Sequence, residues 1–378
     1  MEPLKLEDRL QILAELGEHL RRDEDELLQA HLKRTAYNNG WLTVDYYRRA
    51  IESVATEWLS EQALSKWVSN YPALRESTSV TAPSSEAPNS DFQGAPRSSD
   101  LRKSKKIGLV LAGNIPMVGF HDVISVFLSG HIAQIKVSEK DPYVIPYLLK
   151  LMTQFSEDRF GKTASIAEYF QLTEKLSDFE AVIATGSNNS ARYFEAYFGK
   201  YPHIIRRNRN GVAVLSGEET DEELKALGED IFTYFGLGCR NVAKLYVPQG
   251  YDFEPMLNVF HEWRQLQNHP KYKNNFDYHY ALLTVNREQF LSNGSVILRE
   301  DKALLSHIAG LYYEYYTDLA DLQIELHEHR DQIQLVVAKP NLLSFDTKYF
   351  GEAQRPGLMD YADGVDTVAW LVNLYSKE

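Results

Sequence analysis

The chain has 378 residues, 44% of them hydrophobic and 25% charged, a length that exceeds what one hydrophobic core supports and calls for two lobes. A formal net charge of −13 excludes the broad basic surface a nucleic-acid binder needs and disfavours an anionic membrane as main partner. No apolar run approaches the ~20 residues of a membrane span, MEPLKLEDRL lacks the apolar core of a secretion signal, and one cysteine cannot form an internal disulfide, so a cytoplasmic protein with no stable membrane insertion is expected.

Residues 1–76 read as an N-terminal helical segment. Leu6, Leu10, Leu13, Leu16 and Leu20 recur at helical spacing, and Asn39-Gly40 breaks the pattern. Thr43 can cap the next helix, which sets Tyr47, Ile51, Val54 and Trp58 on one face. Residues 77–104 are rich in Ser, Pro and Ala with few large aliphatics, and are expected to form a flexible linker.

From Lys106 the pattern becomes alternating strand and helix. Residues 107–112 form a short buried strand, a helix begins at Val123, residues 132–137 form a second strand, and a helix follows over 144–152. The strand at 181–184 runs into Thr185-Gly186-Ser187. This alternation predicts a parallel sheet covered by helices, a first α/β lobe over 105–215. Strands at 212–215 and 243–247 follow, then strands at 280–285 and 332–337 with a long helix around 304–326 between them. These outline a second α/β lobe over 216–345 and a C-terminal segment over 346–378.

Four places carry candidate chemistry. Gly236 and Gly238 give the backbone freedom and leave room beside the Cys239 sulfur, and Arg240 can favour its thiolate; an inert buried thiol is the competing reading. Asn114, after the first core strand in Gly113-Asn114-Ile115-Pro116, can donate its amide to a developing oxyanion or simply shape a turn. Lys136, with Ser138 and Glu139 behind it, can meet an adenosine ribose or its 2′-phosphate. Thr185, Gly186 and Ser187 open a helix whose backbone amides can hold a pyrophosphate, although the segment is not a GxGxxG. His327 and His329 lie two apart and point to different faces, so no metal site is expected.

The order of these features is more specific than any one of them. Asn-x-Pro, Lys-x-x-Glu-x-x-Pro, Thr-Gly-Ser and Gly-x-x-Cys in succession resemble the aldehyde dehydrogenase superfamily over about residues 105–250. The stretches AGNIPMVGFHDVISVFLSGH (112–131), YFGLGCRNVAKLYVP (234–248), NHPKYKNNFDYHYALL (268–283) and GLMDYADGVDT (357–367) look closest to the acyl-CoA reductases that include the fatty acid reductase of bacterial bioluminescence. The resemblance implies an aldehyde-dehydrogenase-like fold of two Rossmann-like α/β lobes, one for cofactor and one for the thiol, with a cleft between. It implies Cys239 as nucleophile, with Asn114 and the Cys239 backbone amide as oxyanion donors. It places Lys136 and Glu139 at the adenosine ribose and Thr185, Gly186 and Ser187 near the pyrophosphate. The implied cofactor is NADPH or NADH, the substrate an acyl-CoA, and the implied partners an acyl-activating enzyme and further copies of the chain.

Two departures matter. Aldehyde-oxidising members carry a Glu-Leu-Gly-Gly segment whose Glu activates water; here the stretch 205–211 is Ile-Arg-Arg-Asn-Arg-Asn-Gly, with no acidic residue. That favours reduction of a thioester over oxidation of an aldehyde, and leaves Arg206, Arg207 and Arg209 as candidates for CoA phosphates or a solvated loop. Gly211, which ends the stretch, is grouped with the cofactor-binding residues. Glu139 favours the free 2′-hydroxyl of NADH, against the association of such reductases with NADPH. The competing functions are a semialdehyde or acyl-phosphate oxidoreductase of the same superfamily, and a non-catalytic nucleotide-binding subunit.

Overall fold

The computed structural model describes residues 4–76, 104–161 and 166–376. The chain divides into two compact units: Met1–Arg206 with Gly357–Tyr361 and Val365–Glu378, and Arg207–Pro356 with Ala362–Gly364. The linker expected at 77–104 lies outside the described residues except for its last position.

The first unit opens with helices α1 (Leu6–Arg22), α2 (Glu26–Asn39), α3 (Val44–Ser53), α4 (Glu61–Ser69) and α5 (Pro72–Glu76). The leucine spacing of α1 buries Leu6, Leu13, Leu16 and Leu20. Helix α2 stops at Gly40, whose φ of 64° is left-handed backbone that glycine adopts without strain. Thr43 caps α3 by accepting the N–H of Tyr46 at 3.3 Å, and Tyr47, Ile51 and Val54 are buried along one face.

Then come β1 (Lys106–Val110), α6 (Phe120–Leu128), β2 (Ile132–Lys136), α7 (Val144–Phe160), β3 (Phe170–Leu172), β4 (Ala181–Thr185), α8 (Asn188–Phe198) and β5 (His203–Arg206). They form a parallel sheet in the order β3-β2-β1-β4-β5. The chain moves outward from β1 through β2 and β3, then returns to place β4 on the other side of β1. That reversal is the position at which open α/β sheets bind ligands, outside the carboxyl ends of the strands. Val110 pairs with both Lys136 and Ala184, so the carboxyl ends of β1, β2 and β4 are level.

The second unit contains β6 (Asn210–Val214), α9 (Asp221–Phe232), β7 (Val242–Pro248), α10 (Glu254–Val259), α11 (Pro270–Asn286), β8 (Leu291–Ser292), β9 (Ile297–Glu300), β10 (Gly310–Tyr316), α12 (Leu319–Glu328) and β11 (Ile333–Ala338). Its sheet runs β11-β6-β7-β10-β9-β8, parallel except where β8 meets β9. Strand β6 pairs with β7 and β11, so the unit changes at Arg206, ahead of the expected lobe boundary at 215.

Two sequence expectations are corrected here. Residues 280–285, expected as a strand, are the last turns of α11. That helix starts on Pro270, and its Tyr280, Leu282 and Val285 stay exposed, so the aromatic and aliphatic run never joins a sheet. The long helix expected around 304–326 is instead strand β10 followed by α12. The tyrosines at 312, 313, 315 and 316 are strand residues: Tyr312 is buried, and the Tyr316 hydroxyl donates to the carbonyl of Leu215 at 2.7 Å.

Candidate active site

In the first unit, Asn114, Lys136, Ser138, Glu139, Thr185, Gly186 and Ser187 all fall at the carboxyl ends of β1, β2 and β4. Asn114 is exposed on the turn after β1. Lys136 is exposed at the end of β2, with its ammonium donating to the carbonyl of Glu174 at 2.8 Å. The Ser138 hydroxyl accepts the N–H of Lys140 at 3.2 Å, and Glu139 is exposed beside it. Ser187 caps α8, accepting the N–H of Ser190 at 3.2 Å, and Gly186 abuts Ser190 and Phe194 of the same helix. A cation and a carboxylate at one strand end, with a helix N-terminus two strands away, form a donor set that suits the ribose and pyrophosphate of a dinucleotide.

His121, on the helix after the Asn114 turn, is structural. Its Nε2 pairs with the carbonyl of Leu358 at 2.9 Å, and the rings of Trp58, Trp67 and Tyr361 surround it at 5.2 to 5.4 Å. Burial holds its imidazole below the usual histidine range. The Tyr361 hydroxyl accepts from Trp67 at 2.6 Å, which fastens the 357–361 segment to the N-terminal helices.

Arg206, a candidate for CoA phosphates, is engaged inside the first unit. It is buried, pairs in a two-pronged manner with the buried Asp122, and donates to Thr367 at 3.0 Å. In the second unit Arg209 faces Asp363 at 3.4 Å, whereas Arg207 is exposed.

Cys239 is half-buried, on the turn that leads into the amino end of β7, the strand with β6 on one side and β10 on the other. Just before it, Tyr234, Phe235 and Gly236 have φ of 55°, 59° and 73°, three successive left-handed residues of which two carry side chains. Such backbone persists only where its surroundings over-determine it. Asn241 supplies the constraint. Its side-chain carbonyl accepts the N–H of Gly238 at 2.8 Å, and its NH₂ donates to the carbonyls of Asp230, Ile231 and Thr233 at 3.0, 3.2 and 2.9 Å. Gly211, the second residue of β6, lies against this turn: its N–H donates to the carbonyl of Asn241 at 2.9 Å, and a Cβ there would lie 2.9 Å from the carbonyl oxygen of Arg240. Gly211 therefore lets β6 close on the cysteine turn.

Asp230 ties in a further segment. Its carboxylate accepts the N–H groups of Gly351 and Ala353 at 2.7 and 2.9 Å, and the Arg240 guanidinium donates to the Ala353 carbonyl. Burial pushes Asp230 up to about 7, the two N–H groups opposing the shift and Glu229 and Glu352 adding to it. Sequence reasoning gave no role to Asn241 or Asp230. The Asn was visible two residues after the cysteine, but its partners were not. Among the described residues, no group of three or more His, Cys, Asp or Glu is arranged to hold a metal ion, and no helix is long and apolar enough to cross a membrane.

Comparison with solved structures finds aldehyde dehydrogenases of similar fold. Aldehyde dehydrogenase 21 from Physcomitrella patens, solved with succinate as reaction product, superposes with a TM-score of 0.66 at 12% identity, over 98% of this chain and 84% of that one. Lactaldehyde dehydrogenase from Escherichia coli gives 0.60 at 14% identity, over 92% and 78%. An NAD-dependent aldehyde dehydrogenase from Sinorhizobium meliloti gives 0.62 at 10%, over 90% and 71%. These likenesses establish an aldehyde-dehydrogenase-like fold. A comparison with curated proteins finds no match. The family model described as acyl-CoA reductase (LuxC) matches residues 35–262, which span both the Asn114 turn and the cysteine turn. The chain thus belongs to the acyl-CoA reductase family, oxidoreductases that here have the aldehyde dehydrogenase fold.

Proposed function

We propose that the protein reduces a fatty acyl-CoA to the free aldehyde with NADPH or NADH, through a thioester on Cys239. The observation that carries this reading is the half-buried thiol on a turn pinned by Asn241, in a chain whose 205–211 stretch has no carboxylate. A nucleophile held in this way can accept an acyl group, and no base in that stretch activates water to hydrolyse it.

The Cys239 thiolate attacks the thioester carbonyl carbon and a new C–S bond forms. The oxyanion takes hydrogen bonds from the Asn114 side-chain amide and the Cys239 backbone N–H; removing one such donor typically costs ~10²–10³ in rate. The bond to CoA breaks, and CoA leaves as a thiolate that takes up a proton. A reduced nicotinamide, when bound, would supply hydride to the acyl carbon. The C–S bond to Cys239 then breaks and the aldehyde departs. Lys136 and Glu139 would hold the adenosine ribose and the α8 start at Thr185, Gly186 and Ser187 the pyrophosphate, whereas Gly211, grouped by sequence with the cofactor-binding residues, packs against the cysteine turn.

Two further parts belong to the proposal: an acyl-activating enzyme that supplies the acyl group, and a homo-oligomer in the cytoplasm. Exposed Tyr278, Leu282 and Val285 on α11 offer apolar area to a second copy. The test is to incubate the protein with acyl-CoAs of graded length, acyl phosphates and aldehydes, with each nicotinamide in turn. Aldehyde and free CoA from acyl-CoA in equal amounts support the proposal. Turnover of acyl phosphate alone, or of nothing, defeats it.

A further inference from the structure

Two buried polar side chains bracket the Asn114 turn, and neither belongs to the site as described above. Asn39, the last residue of α2 and 7% exposed, donates from its side-chain NH₂ to the carbonyl of Gly113 at 3.0 Å and to that of Lys140 at 3.4 Å. Its own side-chain carbonyl is anchored by the N–H groups of Trp41 and Leu42 at 3.1 and 3.3 Å. The neighbouring Asn38 donates to the carbonyl of Glu139. On the other side of the turn stands Asp141, 5% exposed, whose carboxyl is approached by the N–H groups of Met117 and Val144. Met117 has a φ of 62°, left-handed backbone that a side-chain-bearing residue adopts at a cost.

So the carbonyl just before Asn114 is held by one side chain, and the amide three residues after it by another. The same two side chains hold the Ser138–Asp141 loop against the turn. That packing is tight: a Cβ on Gly113 would lie 2.6 Å from the Ser138 hydroxyl. Burying a carboxyl here costs free energy. Burial pushes Asp141 up to about 6 against the pull of the two N–H groups, and among the described residues its Oδ1 has no hydrogen-bond partner. The fully buried Tyr47 hydroxyl lies beside it.

We propose that Asn39 and Asp141 are positioning residues for the reaction: together they fix the turn so that the Asn114 amide is aimed before substrate arrives, and they couple its placement to the loop carrying Ser138 and Glu139. This rests on Asn114 being an oxyanion donor. A donor aimed in advance spends no free energy on reorganisation in the transition state.

The test needs no nicotinamide. The first-turnover release of CoA from acyl-CoA is followed by rapid quench in the wild type, Asp141→Ala, Asn114→Ala and the double variant, with acyl-CoA affinity measured alongside. Asp141→Ala slows release by about tenfold or more without weakening acyl-CoA binding. In the Asn114→Ala background the same change does little, because no donor is left to misplace. Equal slowing in both backgrounds, or no slowing, overturns the brace. Wild-type release by Asn114→Ala instead overturns the oxyanion reading, and the brace falls with it. If Asp141→Ala does not fold, Asn39→Ala removes the other half of the brace, the bond to the Gly113 carbonyl. It too must slow release in a donor-dependent way, and a wild-type rate from it overturns the inference.

Discussion

The side-chain carbonyl of Asn241 accepts the backbone N–H of Gly238 at 2.8 Å, and this bond closes the turn on which Cys239 sits. The other end of the same side chain serves three carbonyls at the end of α9. One 2%-exposed amide thus stitches the helix before the cysteine to the strand after it.

Asn241→Ala removes four hydrogen bonds and leaves their partners buried, so a loss of about 2–4 kcal/mol is expected in chemical denaturation. The folded fraction of the variant should label more slowly or more erratically at Cys239 than the wild type, since the turn is no longer set. Asn241→Asp should be worse near neutral pH, where a carboxylate faces three carbonyls, and should recover as the pH falls.

Asp230 should leave a pH signature. Its folded pKa is raised from its ordinary 3.8 to about 7, so the folded state binds the proton more tightly than the unfolded chain does. The stability tied to that proton is fully present below the unfolded pKa and is lost as pH rises through about 7. Measured against Asp230→Asn, wild-type stability should fall on the order of 1–4 kcal/mol between acid and mildly alkaline pH. A difference that does not vary over that window contradicts the assignment.

The buried pair of Arg206 and Asp122 predicts an asymmetry. Arg206→Ala strands a carboxylate in the core and should cost about 3–5 kcal/mol, whereas Arg206→Met combined with Asp122→Leu should recover most of that loss. Acyl-CoA affinity of the folded protein should not change in either, because the guanidinium is occupied by Asp122 and Thr367. A selective loss of CoA affinity would return Arg206 to the substrate site.

Glu139 offers a test of cofactor choice. A carboxylate beside an adenosine ribose repels a 2′-phosphate, and exposed Lys136 offsets part of that repulsion. Glu139→Ala should lower the KM for NADPH several-fold relative to NADH, and Lys136→Ala should do the reverse. Unchanged ratios in both variants would remove these residues from the ribose site.

What could be read from the sequence follows from the range of the interactions. Strands β1, β2, β4, β6, β7 and β11 announce themselves as buried apolar runs, and the leucine stripe of α1 and the Thr43 cap are local signals. Short β3, β5 and β8 carry too few residues for a pattern. The run at 280–285 has the composition of a strand, yet it belongs to a helix set by Pro270, ten residues upstream. The tyrosine-rich 310–316 stretch reads as helix in sequence because Leu319, Leu322 and Leu326 extend a helical periodicity behind it. The order of motifs located the cysteine and the asparagine turn. It could not show their supports, since Asn39 meets Gly113 across 74 positions and Asp230 meets Gly351 across 121.

The central claim is a covalent acyl group on one sulfur. Protein mixed with an acyl-CoA and no nicotinamide, quenched in acid and examined by peptide mass spectrometry, should gain one acyl mass on the peptide containing Cys239. The adduct should disappear on addition of the reduced cofactor as aldehyde forms, and Cys239→Ala should show neither adduct nor aldehyde. Aldehyde formation by Cys239→Ala at the wild-type rate, or an acyl group on some other residue, would contradict the account.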